Sequence, residues 1–285
     1  MNPSPPPAIV ITPAGLVGLS RWRELWAARD LWRFLVWRDL KTRYAQSILG
    51  LGWAVVQPLF TTGVFSIVFG KFAGVPSDGV PYPIFSLTAM VIWTFFQTLV
   101  TDVSGTLATN MGVITKVYFP RLVLPLAAIT AKLMDLVIML VMLALMFVAY
   151  WHLLVAHGNV PTVAAIVAVP AAVFVAMLAA TGLGLWLAGL AVQYRDVRHA
   201  QGFALQLLMY ASPVIFSVSL VPAKWRTLYD LNPLTGVIQA MRASLLNTGP
   251  VPWSTLGIDA AIALILFLTG IRCFDRAVRI FADVA

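Results

Sequence analysis

Apolar residues in this chain come in long runs, parted by short stretches where charged and turn-forming residues collect. A helix needs about 20 apolar residues to cross the hydrocarbon layer of a bilayer, so uncharged runs of that length predict spans. The first covers about 51–70 and ends at Lys71. The second covers about 84–103, its uncharged part closing at Asp102. The third, about 122–150, is interrupted by Lys132 and Asp135. No Asp, Glu, Lys or Arg occurs from Leu136 to Tyr194, which is too long for one helix. The natural break is His157-Gly158-Asn159-Val160-Pro161, so a fourth span runs over about 162–192. The fifth covers about 201–220 and the sixth about 251–271, with Asp259 near its start. The pattern predicts an all-α integral membrane protein with six transmembrane helices.

Two segments carry helical periodicity without being spans. Over 21–48, Trp22, Leu25, Trp26, Trp32, Val36, Leu40 and Tyr44 fall on one side at helical spacing. The rest of that surface is rich in Arg and Lys, which predicts an amphipathic helix at the membrane interface. Arg29 and Arg33 fall inside the stripe and have to snorkel. A soluble helix packed on a partner is the alternative. The second segment is Leu231–Leu246, where Leu234, Val237, Ile238, Met241 and Leu245 recur at three and four residues after the start signal Asn232-Pro233. It is too short and too polar to cross. It is expected to be re-entrant, or to lie at the outer interface and line a pathway.

Composition agrees with a membrane protein: 60% of residues are hydrophobic and 11% charged, against roughly 25% charged in soluble domains. The net charge of +8 sits at the ends of apolar runs, so it orients the chain in a membrane rather than binding nucleic acid. With the N-terminus inside, 14 basic residues fall in internal segments, 4 in external ones (Lys71, Lys224, Arg226, Arg242), and Lys132 lies in a span. That bias places both termini in the cytoplasm. Residues 1–20 hold five prolines and no basic residue, which does not fit a cleavable signal peptide. They are expected to form a flexible tail, with residues 21–285 the transmembrane domain.

The chemistry of the chain is sparse. Gly63 to Gly70-Lys71-Phe72 mimics a phosphate-binding loop, but six residues separate the glycines and Phe72 stands where Ser or Thr must reach magnesium. Any ATP must therefore be hydrolysed on another chain. The single cysteine, Cys273, excludes an internal disulfide and a multi-cysteine metal site. No nucleophile stands beside a histidine with an acidic orienter, so no catalytic or metal residue is assigned and the chain is not expected to be an enzyme. Lys132 and Asp135 are three apart and can pair. They read as a neutralised structural pair, with a functional intramembrane charge the alternative. Gly182, Gly184 and Gly189 permit close helix packing. Trp53, Phe60, Phe65, Phe69 and Phe72 in the first span, with Phe203, Tyr210 and Phe216 in the fifth, either face lipid or line a channel.

Arg38-Asp-Leu-Lys-Thr-Arg-Tyr-Ala-Gln-Ser-Ile-Leu-Gly-Leu-Gly-Trp53, together with Gln57-Pro58, resembles the opening of permease subunits of type-2 ABC exporters. Lys116-Val-Tyr-Phe-Pro-Arg121 and Tyr194-Arg-Asp-Val-Arg198 resemble the two cytoplasmic loops of that family. Ser212-Pro213-Val214, Val221-Pro222-Ala-Lys-Trp225, Leu231-Asn-Pro233 and Phe281-Ala-Asp283-Val284 resemble its C-terminal segments. The ordered set covers about residues 30–284, and is most similar to exporters of lipid-linked O-antigen, capsule or teichoic acid. The resemblance implies a homodimer in the bacterial inner membrane, joined to two copies of a separate ABC ATPase that carries ATP and magnesium. This chain itself would hold no cofactor. Loops 106–121 and 194–200 would couple to the ATPase through Lys116, Tyr118, Arg121, Tyr194, Arg195, Asp196 and Arg198. Spans one and five of each copy would enclose a channel for an undecaprenyl-linked polysaccharide, lined by Trp53, Phe60, Tyr210 and Phe216. An exporter of drugs or small lipids, and a membrane glycan-processing protein without transport, are the rival readings.

Overall fold

The computed structural model describes residues 19–44, 50–114, 119–194 and 196–284; among these there are helices and turns and no strand. Residues 1–18 of the expected 1–20 tail lie outside the described residues, and Leu19 and Ser20 open a helix. Eleven α-helices are described: α1 Leu19–Ala27, α2 Arg29–Tyr44, α3 Trp53–Phe65, α4 Tyr82–Thr109, α5 Met111–Ile114, α6 Val123–Ala156, α7 Ala165–Gln193, α8 Val197–Tyr210, α9 Ala223–Tyr229, α10 Thr235–Leu246 and α11 Trp253–Val284. A wide π-type turn, Ser66–Phe72, extends α3. It brings Gly70 onto the Tyr82 ring so closely that a Cβ at Gly70 would stand 2.8 Å from Tyr82 Cγ.

Among the described residues, five helices are long and apolar enough to cross a membrane: Trp53–Phe72, Tyr82–Thr109, Val123–Ala156, Ala165–Gln193 and Trp253–Arg279. The segment expected as the fifth span, 201–220, is not one helix of that length. It is the 14-residue α8, succeeded by turns and a 3-10 turn at Val218–Leu220. Fourteen residues rise about 21 Å, short of the ~30 Å hydrocarbon layer. Pro213, which cannot donate to a continuing helix, stands just past its end. The broken segment still runs the length of α4. Ser104 Oγ donates to Gln201 Oε1 at 2.8 Å near the C-terminal end of α4, and Tyr82 OH donates to the Ile215 carbonyl at 2.7 Å at its N-terminal end.

The core lies where α4, α7, α10 and α11 meet α6. Trp93, Phe85, Phe95 and Phe96 of α4 and Phe274 of α11 are its largest wholly buried side chains. The α7–α11 seam depends on missing side chains. A Cβ at Gly182 would stand 2.5 Å from the Phe267 nitrogen, and one at Gly270 would stand 2.4 Å from the Gly182 carbonyl oxygen. Gly184 packs on Val103 of α4 and Gly189 on Cys273 of α11 in the same manner. The expected close-packing role of the three glycines of α7 is thus the observed one, and Gly270 completes it.

Helix α10 differs from expectation in its surroundings. Leu234, Val237, Ile238 and Met241 are fully buried against protein, so its apolar face closes the bundle rather than lining a pathway. Asp259 of α11 anchors its start, accepting the Val237 N–H at 2.9 Å where the helix dipole favours a carboxylate. Asn247, in the left-handed conformation, ends it.

The 21–48 stripe divides into two apolar faces. Leu35 is buried against Phe119, Val123, Leu124 and Ala127, with Leu25, Leu31, Trp32 and Val36 packed around it. Trp26, Phe34 and Trp37 are exposed on α1 and α2, and Lys41 Nζ stands 4.6 Å over the Trp37 ring.

Candidate translocation groove and coupling loops

Helices α3 and α8 are the loosely held members of the bundle. In the most apolar 18-residue stretch of the α3 span only 11% of residues are buried, against 78% in that of α4, and α8 buries only Gln201 and Leu205. Between them lies a groove of about 290 Å³ floored by α4, with Gln57, Pro58 and Thr61 of α3 on one side and Met209 of α8 on the other. Trp53 and Phe60 stand four before and three after Gln57, at helical spacing, and are 55% and 73% exposed. Tyr210 ends α8 and is 50% exposed, in a series with exposed Phe203 and Leu207. Phe216 is half-buried, its ring 6.2 Å from that of Tyr229. The structure therefore sets Trp53, Phe60 and Tyr210 on open surfaces of the two helices beside the groove, and tucks Phe216 against α9.

Lys132 and Asp135 pair at 3.3 Å as their spacing implies, within a larger network. Arg43 of α2 reaches Asp102 at 2.7 Å and Asp135 at 2.5 Å, and Lys132 reaches Asp102 at 3.3 Å. Two cations and two carboxylates neutralise one another and tie α2 to α4 and α6. Beside the network lies a cavity of about 550 Å³ bounded by Leu35 and Arg38 of α2, Thr106 of α4 and the adjoining Asn110, and Leu124 and Ala128 of α6. Arg38 bridges it, donating to Asp39 and Asn110 at 2.8 Å each. Periodicity within one helix reveals the i,i+3 half of this network. Arg43 and Asp102 read only as flanking charges.

The residues expected to couple to an ATPase divide into three groups. Lys116, Tyr118 and Arg195 lie outside the described residues. Arg121 donates to the Val278 carbonyl of α11 at 2.5 Å, so it is engaged inside the chain. Tyr194, Asp196 and Arg198 are exposed around the α7–α8 turn.

Arg242 is the residue whose burial sequence reasoning missed. It counts there among external basic residues, yet it is buried in α10. Its guanidinium donates to the carbonyls of Phe85, Pro213, Val214 and Phe216 at 2.6–3.3 Å. It also stacks 3.5 Å over the Phe85 ring. The signal available was its position beside Met241, on the apolar side of the repeat.

Residues 30–246 match the ABC-2 type transporter family. The chain belongs to that family. An O-antigen export system permease protein RfbA of Klebsiella pneumoniae is 24% identical over 256 residues, 90% of this chain and 95% of the relative. Its namesake from Myxococcus xanthus is 26% identical over 269 residues, 92% of this chain and 97% of the relative. The family is one of multi-pass membrane transporters, so the motifs between Arg38 and Val284 resemble the right family.

Proposed function

We propose that this chain is the transmembrane subunit of an ATP-driven exporter that carries a lipid-linked, O-antigen-like polysaccharide across the bacterial inner membrane. The observation that carries the reading is the near full-length match to relatives named O-antigen export permeases, on a family match spanning 30–246. ATP and magnesium are held by a separate ABC subunit, two copies of which join a homodimer of this chain. Both termini are cytoplasmic. The crossing expected as the fifth span is made by α8 together with residues 211–216, which run beside α4 from Ser104 to Tyr82. Loops 106–121 and 194–200 dock on the ATPase, with Lys116, Tyr118 and Arg195 in the contact.

The dimer explains why α3 and α8 bury so little in their own chain. Facing a second copy, they enclose a channel whose aromatic rings, on Trp53, Phe60, Tyr210 and Phe216, stack on the apolar faces of sugars. A moving chain needs many weak contacts that it can leave.

Deletion of the gene in its host tests the reading. Surface polysaccharide should be lost, with lipid-linked glycan accumulating on the cytoplasmic face and export restored by the wild-type gene. Unchanged surface glycan in the deletion strain would overturn the assignment, and new drug sensitivity in that strain would point to the small-molecule exporter instead.

A further inference from the structure

Helix α4 is built inside out for a membrane helix. Between Ile84 and Leu107 six residues keep accessible surface: Thr94, Gln97, Thr98, Thr101, Asp102 and Gly105. Every apolar side chain in that stretch is buried. The six recur at three- and four-residue steps, so they form one face. A face turned to lipid would be apolar, since each unpaired polar group in hydrocarbon costs free energy. This one is hydroxyl, amide and carboxylate.

The face is also ready to bond outward. Thr98 and Thr101 donate to the carbonyls of Thr94 and Gln97 at 2.8 and 2.9 Å; Thr101 Oγ1 also accepts from Gln201 Nε2 at 3.4 Å, while the Thr98 hydroxyl keeps its lone pairs to accept. Gln97 accepts from Trp93 Nε1 at 2.9 Å, and its amide nitrogen has no partner among the described residues. Gln57 and Thr61 of α3 line the same groove from across. The groove and the larger cavity beside α2 share Thr101 and Asp102. A polar track thus runs from the α2 end of the bundle to Thr94, midway along α4. Beyond Thr94 the groove is lined by Trp93 and Met90.

We propose that this face of α4 is a water-bearing wall of the translocation path, making exchangeable hydrogen bonds to the hydroxyls of a polyhydroxylated chain. The proposal rests on the export reading and adds a third helix to the path beside α3 and α8. Aromatic rings can hold sugar faces, but they leave sugar hydroxyls unpaired. Threonine hydroxyls and a carboxamide supply both donors and acceptors, and they bind no single hydroxyl pattern.

The test uses the full exporter in cells, with Cys273→Ser removing the native thiol. Thr98→Cys and Gln97→Cys should react with a charged thiosulfonate at least about tenfold faster than Leu145→Cys on the exposed apolar side of α6, because an ionised reagent enters hydrocarbon poorly. Modification at Thr98→Cys should stop export. Thr98→Val, which keeps shape but not the hydroxyl, should slow export several-fold at unchanged thermal stability in detergent, and Thr98→Ser should restore it. Inert cysteines at both positions in resting and energised cells would overturn the wall in a protein that exports glycan. Labelling without loss of export would also overturn its role in the path. A labelled face in a protein that exports no glycan would overturn the export reading and the ligand with it, while the water-bearing wall stands.

Discussion

Arg43 of α2 and Asp135 of α6 stand 2.5 Å apart across 92 positions of chain. With Asp102 and Lys132 they close a neutral ring that holds the N-terminal helices against the bundle. Arg43→Ala takes the guanidinium away from buried Asp135 and half-buried Asp102. It is expected to cost about 1–3 kcal/mol, less than a fully buried pair because the site is partly open. Thermal unfolding in detergent checks this. Asp135→Ala added to Arg43→Ala should cost less than the two single changes together, and strict additivity would mean that the pair contributes nothing.

Arg242→Met keeps bulk and removes the guanidinium. Four carbonyls then lose their donor, at about 1–3 kcal/mol for each one left unsatisfied. The variant is expected to leave residues 211–216 open to protease or to be lost from the membrane. Arg242→Lys should retain part of the stability, since one ammonium can serve some of the carbonyls but not the fork geometry. Equal protection of 211–216 in wild type and Arg242→Met would refute the anchoring role.

The α7–α11 seam predicts a contrast among glycines. Gly182→Ala and Gly270→Ala force backbones apart and should each lower stability by about 1–3 kcal/mol. Gly63→Ala, on α3, meets nothing within 4 Å and should be neutral or stabilising, because glycine inside a helix costs about 0.5–1 kcal/mol relative to alanine. Heating curves for the three variants in one detergent decide it.

The turn residues predict a split between coupling and folding. Tyr194→Ala and Arg198→Ala alter exposed side chains and should leave insertion and thermal stability unchanged while lowering transport-stimulated ATPase activity. Tyr118→Ala and Arg195→Ala should do the same. Arg121→Gln, by contrast, breaks the bond to Val278 and should lower stability as well. Full ATPase stimulation in all four loop variants would place the docking surface elsewhere. Asp196→Cys, in the Cys273→Ser background, should be labelled only from the cytoplasmic side.

Much of the bundle is legible in the chain because charge in hydrocarbon is costly, so Lys71 marks a boundary that a window of apolar residues can find, whereas Asp102 falls inside α4, which runs on to Thr109 because Arg43 and Lys132 neutralise it. The break after Tyr210 is not, because 211–220 is as apolar as a helix would be and hydropathy does not register where backbone donors go. The polar face of α4 escapes for a related reason. Threonines bonded to their own helix carbonyls interrupt no apolar run, and only the packing shows that all six accessible positions share a side. The stripe over 21–48 blurs because two apolar faces, one around Leu35 and one around Trp26, Phe34 and Trp37, overlap in a single helical pattern. Arg242 reads as one more external basic residue until the carbonyls that hold it are placed.

The order of synthesis gives the Gly182–Gly270 seam a further meaning. Helix α7 emerges early, but the surface it is shaped to meet belongs to α11, which is made after every other described helix. The acceptor for the first N–H groups of α10, Asp259, arrives with the same helix. Until α11 has left the ribosome, α7 shows a glycine-lined furrow to lipid and α10 has an uncapped start. A chain stalled a few dozen residues short would thus carry a visible mark of incompleteness inside the bilayer, where membrane proteases and insertases work, and α11 would act as the closing stave of the barrel during assembly.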